Sequence, residues 1–197
     1  MNEFPQIKEI VINDYIKEIE NLIENQNYLS ALSISLMMPD ICSKFQNKNG
    51  NNKKKYIEWF NEYVYESYYK GFLSNEIECN GNVCYALRNA MLHKGSPYIE
   101  FFGESKEADR KKAKIDGIQL CVNGNSSIKR QYGEAVTKYK NQNYIHITIR
   151  INIVNFSRNM INGCKNFLRK NKNISNTSIF YLIDWDKKGG EIKFTPK

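Results

Sequence analysis

Histidine, proline and long apolar runs are all scarce in this chain. Its 197 residues include two histidines and four prolines. The longest apolar-leaning segment, residues 29–38, is interrupted by serines and ends at a proline, so it is too short and too polar to cross a membrane. The N-terminal segment has no basic region followed by an apolar one, which argues against a signal peptide. We therefore expect a soluble, cytoplasmic protein with no membrane partner.

The cysteine pattern argues against disulfides and against a structural zinc site. The chain has five cysteines, an odd number, and no two of them have CxxC spacing. Cys79 and Cys84 are the nearest pair, but no second pair of ligands matches them. We expect reduced thiols that are mostly buried as small apolar groups. We expect neither a bound metal nor another cofactor.

What the chain does have is enough apolar surface to fold and an excess of positive charge. Hydrophobic residues make up 41% of it and aromatic residues 13%, which is typical of a chain with a packed core. The net charge of +8 would attract phosphate groups. A chain rich in Lys, Asn and Ile would also be basic simply because an AT-rich gene encodes it, so charge alone identifies no partner. The basic runs at 53–55 and 110–112 are expected to be solvated surface.

The first hundred residues have the periodicity of helices. Apolar residues recur at three- and four-residue steps in segments that are separated by polar residues. The segments are residues 7–25, 28–45, 54–72 and 83–94. Four helices of this kind are expected to pack as a bundle over residues 1–100.

Local signals refine the ends of these helices. Pro39 lies inside the second segment and predicts a kink or a break near Met38, because proline removes one helical hydrogen bond. Asn82 can cap the fourth helix at its start. Gly95 and Pro97 can end the same helix.

The second half of the chain changes to strand patterns. Residues 144–153 alternate isoleucine with polar residues and form the clearest strand of the sequence. Further strands and one helix are predicted at residues 114–122, 155–170, 179–184 and 191–194, with a turn at 186–190. The fold class is therefore α+β. A mainly helical four-helix bundle at 1–100 would be followed by a small antiparallel sheet with a helix at 101–197, either separate or packed on the bundle as one domain.

The fourth helix carries the best candidate for chemistry, in the sequence CYALRNAMLHKG. Arg88 and His93 lie about 140° apart on an ideal α-helix, so they would meet only through a long arginine side chain and a relaxed last turn. Asn89 lies one turn before His93 and could hydrogen-bond its ring. A guanidinium binds phosphate oxygens, and an imidazole transfers protons near neutral pH. The alternative is structural: Arg88 would pair with Asp40, and His93 would be favoured by the helix dipole.

An arginine, a polar residue, three further residues and a histidine resemble the motif of HEPN-domain proteins. These proteins are compact helical bundles, and many are ribonucleases of toxin–antitoxin, abortive-infection and CRISPR systems. The resemblance covers the first half of the chain, including the segments MMPDIC and YIEWFNEYV, and it places the motif on the last helix of the bundle. It implies that Arg88 and His93 are the catalytic pair and that Asn89 is the polar residue of the motif. Lys94, the next residue, is the best auxiliary phosphate ligand at such a site.

The implied activity is cleavage of RNA through its own 2′-hydroxyl, which requires no metal and yields a 2′,3′-cyclic phosphate. One helix supplies one histidine, and family members usually pair two bundles, so the resemblance implies a homodimer. RNA would be the substrate of a defence or stress effector, with an antitoxin or another defence-system protein as a further partner. Two alternatives stay open: an RNA- or nucleotide-binding module that does not cut, and a structural partner in a toxin complex.

Overall fold

Helices and strands both contribute to the structure, a computed structural model that describes residues 5–46, 49–70, 79–95, 101–104, 112–124, 128–139, 142–174 and 176–188. The helices are α1 (Ile12–Glu24), α2 (Tyr28–Ser43), α3 (Asn52–Phe60), α4 (Glu66–Tyr68), α5 (Gly81–Asn89) and α6 (Ile153–Lys170). The strands are β1 (Pro5–Ile10), β2 (Phe101–Glu104), β3 (Lys112–Cys121), β4 (Ile128–Tyr139), β5 (Gln142–Asn152) and β6 (Phe180–Lys188). The predicted α+β class is confirmed.

Two short segments continue helices in π-helical form. We name Asn61–Tyr65, between α3 and α4, the first π turn. Ala90–Lys94, directly after α5, is the second π turn. Within the described ranges, none of the helices combines the length and the apolarity that a membrane crossing requires.

The described strands form two sheets. β1 pairs antiparallel with β6, so segments near the two ends of the chain meet. The larger sheet has the order β2-β3-β5-β4. Its β2–β3 and β4–β5 pairs are antiparallel, as expected, but β3 and β5 run parallel, with Ile118 opposite Ile149. The larger sheet is therefore mixed.

One hydrophobic core joins helices from both halves of the chain. Trp59 and Phe60 of α3 are fully buried, as is Phe167 of α6. The ring of Phe167 packs edge-on against Trp59, with centroids 6.0 Å apart, and against Tyr63, with centroids 5.3 Å apart. Such contacts add to the stabilisation that burial alone provides. Helix α6 thus completes the helical core, while the division of the chain near residue 100 stays a prediction.

The first predicted segment is not helical from its start. Residues 7–10 belong to β1, where Ile10 lies opposite Phe180 of β6. The helix begins after Val11, whose N–H donates to the carboxylate of Asp14 over 3.0 Å. The helical spacing in this segment was misleading because its strand partner lies at the far end of the chain.

A kink or a break was predicted near Met38, and the break does not occur, because helix α2 continues through Pro39. Pro39 has no N–H, so the carbonyl of Ser35 lacks its usual helical partner. Pro39 is itself buried, and its neighbours Met38 and Ile41 belong to the core. Packing therefore stabilises the helix across a residue that local rules disfavour.

Several predicted boundaries also change. Asn80, not Asn82, caps α5: its side chain accepts the backbone N–H of Asn82 over 3.0 Å. Residues 186–188 extend β6 instead of forming a turn. The predicted strand at 191–194 lies outside the described residues.

Candidate functional site

The second π turn contains His93 and follows directly after the last turn of α5, which carries Arg88. An α-helix bonds each residue to the one four positions away, whereas a π helix bonds residues five apart and so aligns them on one face. The N–H of Gly95 donates to the carbonyl of Ala90, which is a bond of this five-residue kind. Nη1 of Arg88 is hydrogen-bonded to Nε2 of His93. The predicted convergence of these two side chains therefore occurs, at the point where α5 passes into the second π turn.

Arg88 is held by contacts on several sides. Its Nε donates to Oδ2 of Asp40 on α2 over 3.0 Å, and its Nη1 donates to Oδ1 of Asn89 over 3.0 Å. The guanidinium carbon lies 5.9 Å from the ring centre of Tyr85, a favourable cation–π distance. The side chains of Arg88 and Asp40 are 20% and 24% exposed. Arg88 thus pairs with Asp40, as the structural alternative proposed, and contacts His93 at the same time.

Asn89 contacts the arginine and not the imidazole. Its Oδ1 accepts from Arg88, and among the described residues it has no hydrogen bond to His93. The prediction that Asn89 would orient the ring assumed an α-helix, in which residues four apart are neighbours. His93 lies in the second π turn, and its ring contacts Arg88, which lies five positions earlier in the last turn of α5.

His93 is exposed, and its ring contacts the guanidinium of Arg88. A guanidinium has donors only, so Nε2 of His93 must accept the hydrogen bond. Lys94 is exposed beside it, with no hydrogen bond or ion pair to Arg88 or His93 in the described part of the chain.

Buried side chains behind the site fix the position of α5. The hydroxyl of Tyr56 donates to the carbonyl of Leu36 over 3.0 Å and contacts Sγ of Cys84 over 3.3 Å. Burial raises the pKa of Tyr56 well above its ordinary value, so the hydroxyl keeps its proton and its donor role. The ring of Tyr56 also packs edge-on against Tyr85, with centroids 5.2 Å apart. The contacts of the core therefore extend to Tyr85, the ring against which the guanidinium of Arg88 packs.

A cavity of about 430 Å³ opens beside the ion pair; we name it the Arg88 cavity. Asp40 and Arg88 form part of its wall, and the rest comes from α1, α2, α3 and the chain entering β6. Lys55 and Phe180 are among these other lining residues. The sequence pattern gave no sign of the cavity, since it joins segments from both ends of the chain.

The cysteines behave as predicted. All five are free thiols, and Cys42, Cys79, Cys84 and Cys164 are buried. Burial raises the pKa of Cys79 to about 12, so this thiol stays protonated near neutral pH. These residues serve the core and do not add a nucleophile to the site.

Two contributors to the site were missed or undervalued from sequence. Tyr85 lies three positions before Arg88, and that spacing predicts contact on a helix, so the signal was present. Asp40 was considered only as an ion-pair partner of Arg88 in the structural alternative, although it holds the guanidinium that reaches His93. Comparisons of the chain with models of known protein families, with curated proteins and with solved structures found no match.

Proposed function

We propose that the Arg88–His93 site cleaves RNA and that residues 1–100 form a HEPN-like bundle that carries it. The observation that supports this most is the hydrogen bond between Nη1 of Arg88 and Nε2 of His93 beside solvent. It supports a site in which a phosphate-binding group and a proton-transfer group would act on the same phosphodiester. The α+β fold and the helical N-terminal segments agree with the proposal.

The reaction uses a nucleophile that RNA already carries. A proton passes from the 2′-hydroxyl to Nε2 of His93, the bond from O2′ to phosphorus forms, and the bond from phosphorus to O5′ breaks. A proton delivered to O5′ completes the step and leaves a 2′,3′-cyclic phosphate and a 5′-hydroxyl. Because the 2′-oxygen is the nucleophile, the reaction requires no metal-activated water.

Arg88 has to change partners for this to happen. In the free protein, Nη1 of Arg88 is hydrogen-bonded to Nε2 of His93. A phosphate oxygen must therefore replace the imidazole as the acceptor of this hydrogen bond. Nη2 of Arg88 has no hydrogen-bond partner among the described residues and offers two further donors. Asp40 and Asn89 keep the guanidinium in position throughout and therefore act as positioning residues.

A single histidine cannot both accept and deliver the proton within one step. We therefore propose a homodimer in which His93 of one copy is the base and His93 of the second copy is the acid. Lys94, exposed next to His93, would bind a neighbouring phosphate. RNA cleavage of this kind fits a cytoplasmic defence or stress effector that an antitoxin or another defence-system protein restrains.

The ion pair between Arg88 and Asp40 favours one alternative. An ion pair fixes the guanidinium in one orientation, as expected for a module that binds RNA or nucleotides without cutting them. Such a module would bind RNA equally well with and without the imidazole of His93. The same pair also fits a purely structural partner of a toxin complex, which would have no RNA affinity even at low salt.

Cleavage of mixed RNA in EDTA separates these possibilities. The wild type should cut, and His93→Ala should reduce the rate by about 10²- to 10⁴-fold, the usual range for general acid–base catalysis. Arg88→Lys keeps the positive charge but loses the planar fork of donors, so its rate should also fall strongly. His146→Ala, which removes the other histidine, is the matched control and should cut like the wild type. Equal rates for the wild type and His93→Ala would contradict the proposal.

A further inference from the structure

We propose that the Arg88 cavity binds one nucleotide of single-stranded RNA, with the base against Phe180 and the neighbouring phosphates near Lys44 and Lys55. The proposal rests on the proposed function in one respect only: that function places the scissile phosphate at Arg88, in the cavity wall. The binding itself does not depend on cleavage. It would give the site a subsite that selects and orients its substrate.

The size and position of the cavity fit this role. Its volume of about 430 Å³ lies within the range of small-ligand sites. Arg88 belongs both to its wall and to the pair with His93. A nucleotide bound there would therefore be next to the phosphate on which His93 acts.

The charge of the lining favours an anion. Lys44, Lys55 and Arg88 line the cavity, and Asp40 is the one acidic side chain among its described lining residues. The carboxylate of Asp40 is already bound to Arg88 over 3.0 Å. The two lysines therefore leave an excess of positive charge, which attracts phosphates.

The aromatic part of the lining favours a base. Phe180 is 58% exposed at the start of β6, although exposing a large apolar ring to water is unfavourable. Tyr15 is a half-buried second ring in the lining, and burial raises its pKa, so its hydroxyl stays neutral. An exposed ring beside lysines is the combination that binds single-stranded nucleic acid, because every base has a face that can stack. An acidic peptide would use the lysines but would gain little from the rings.

Equilibrium binding of a non-cleavable strand tests the proposal. The probe is a fluorescein-labelled pool of mixed-sequence 2′-O-methyl RNA hexanucleotides, which lack the attacking hydroxyl, and the readout is fluorescence anisotropy. Phe180→Ala should weaken binding about tenfold, within the range found when a stacking ring is removed. The double variant Lys44→Gln/Lys55→Gln should weaken binding by about the same factor at low salt, and by less as salt screens the phosphates.

Matched variants control for folding and for net charge. Tyr181→Ala removes another aromatic ring from β6, one that is 54% exposed and does not line the cavity. Lys17→Gln/Lys165→Gln removes two exposed lysines that are also outside the lining. Both controls should bind the probe like the wild type, and thermal denaturation should show that all four variants are folded.

The outcomes separate this proposal from the nuclease proposal. Probe binding that is weakened only by the cavity variants supports the subsite. If in addition neither the wild type nor His93→Ala cuts RNA, only the nuclease proposal fails. Cleavage by the wild type with unchanged probe binding in the cavity variants overturns the subsite and leaves the nuclease. A wild type that does not bind the probe overturns the subsite, as does equal weakening by the control variants.

Discussion

The two π turns share the same five-residue hydrogen-bond pattern but have very different surroundings. In the first, Tyr63, Val64 and Tyr65 are all buried in the helical core. In the second, His93 and Lys94 are exposed at the end of α5. A π turn often marks a functional site, because it rotates a side chain out of the helical register. Here one turn packs in the core, and the other carries His93 of the candidate catalytic pair.

Different contacts hold the two turns. Asn61 of the first turn accepts the N–H of Gly81 over 2.7 Å, and the first turn also packs closely on Gly163 of α6, where an added Cβ would lie 2.6 Å from Val64. The second turn is closed by Gly95 in a left-handed conformation and by the contacts of Arg88. Changes at the first turn should therefore lower stability, and changes at the second should lower activity.

Gly81→Ala should have the largest effect. Its Cβ would lie 2.5 Å from the carbonyl oxygen and 2.8 Å from the Cα of Ile57, both backbone atoms, so α5 would have to move away from α3. We expect a loss of about 3 kcal/mol in the free energy of unfolding, the upper end of the overpacking range, by urea denaturation. Asn82→Ala, an exposed change in the same helical turn, should cost far less. Equal stability of the two variants would show that the helices are not in such close contact.

Asn61→Ala tests the polar contact of the first π turn. It leaves the N–H of Gly81 without its side-chain acceptor, which costs about 1–3 kcal/mol for a buried donor. Melting temperature and RNA cleavage by the surviving folded fraction should be measured together. The rate per folded molecule should stay near that of the wild type. A large drop in that rate with unchanged stability would give the first turn a catalytic role and remove the contrast between the two turns.

Asp40→Ala tests whether the ion pair positions Arg88 for the reaction. The pair is partly exposed, so stability should change by less than about 1 kcal/mol. The value of kcat should fall about tenfold because the guanidinium is less well oriented, while KM changes little. Asp40→Asn keeps an oxygen acceptor for Nε and should restore part of kcat. An unchanged or increased kcat on removal of the carboxylate would show that the ion pair does not position Arg88 for the reaction.

Gly95→Ala should have the smallest effect. Gly95 has φ 56°, and no atom lies within 4 Å of an added Cβ, so only backbone strain opposes the substitution. We expect a loss of about 1 kcal/mol in the free energy of unfolding, with a modest decrease in cleavage as the end of the second turn loosens. Gly95→Asn should recover part of both losses, since asparagine tolerates this conformation better. Equal destabilisation by alanine and asparagine would point to something other than backbone strain.

Sequence reasoning predicted the features that depend on local patterns. The helical segments, the long alternating strand β5 and the terminating role of Gly95 are all present. The first π turn was missed because one extra residue in a turn hardly disturbs an apolar stripe. The pairing of β1 with β6 was missed because the two strands lie far apart in the sequence, and the residue pattern of one strand does not identify its partner. Arg88 and His93 were identified correctly as neighbours, but the second π turn that joins them was foreseen only as a relaxed last turn.

The ends of the RNA products test the central claim most directly. Arg88 and His93 acting on one phosphate should release fragments that end in a 2′,3′-cyclic phosphate and begin with a 5′-hydroxyl, which mass spectrometry distinguishes from the products of attack by water. RNA that is methylated at every 2′-oxygen should stay intact, because the nucleophile is blocked. Fragments with 5′-phosphate ends, or cleavage of the fully methylated strand, would contradict the account.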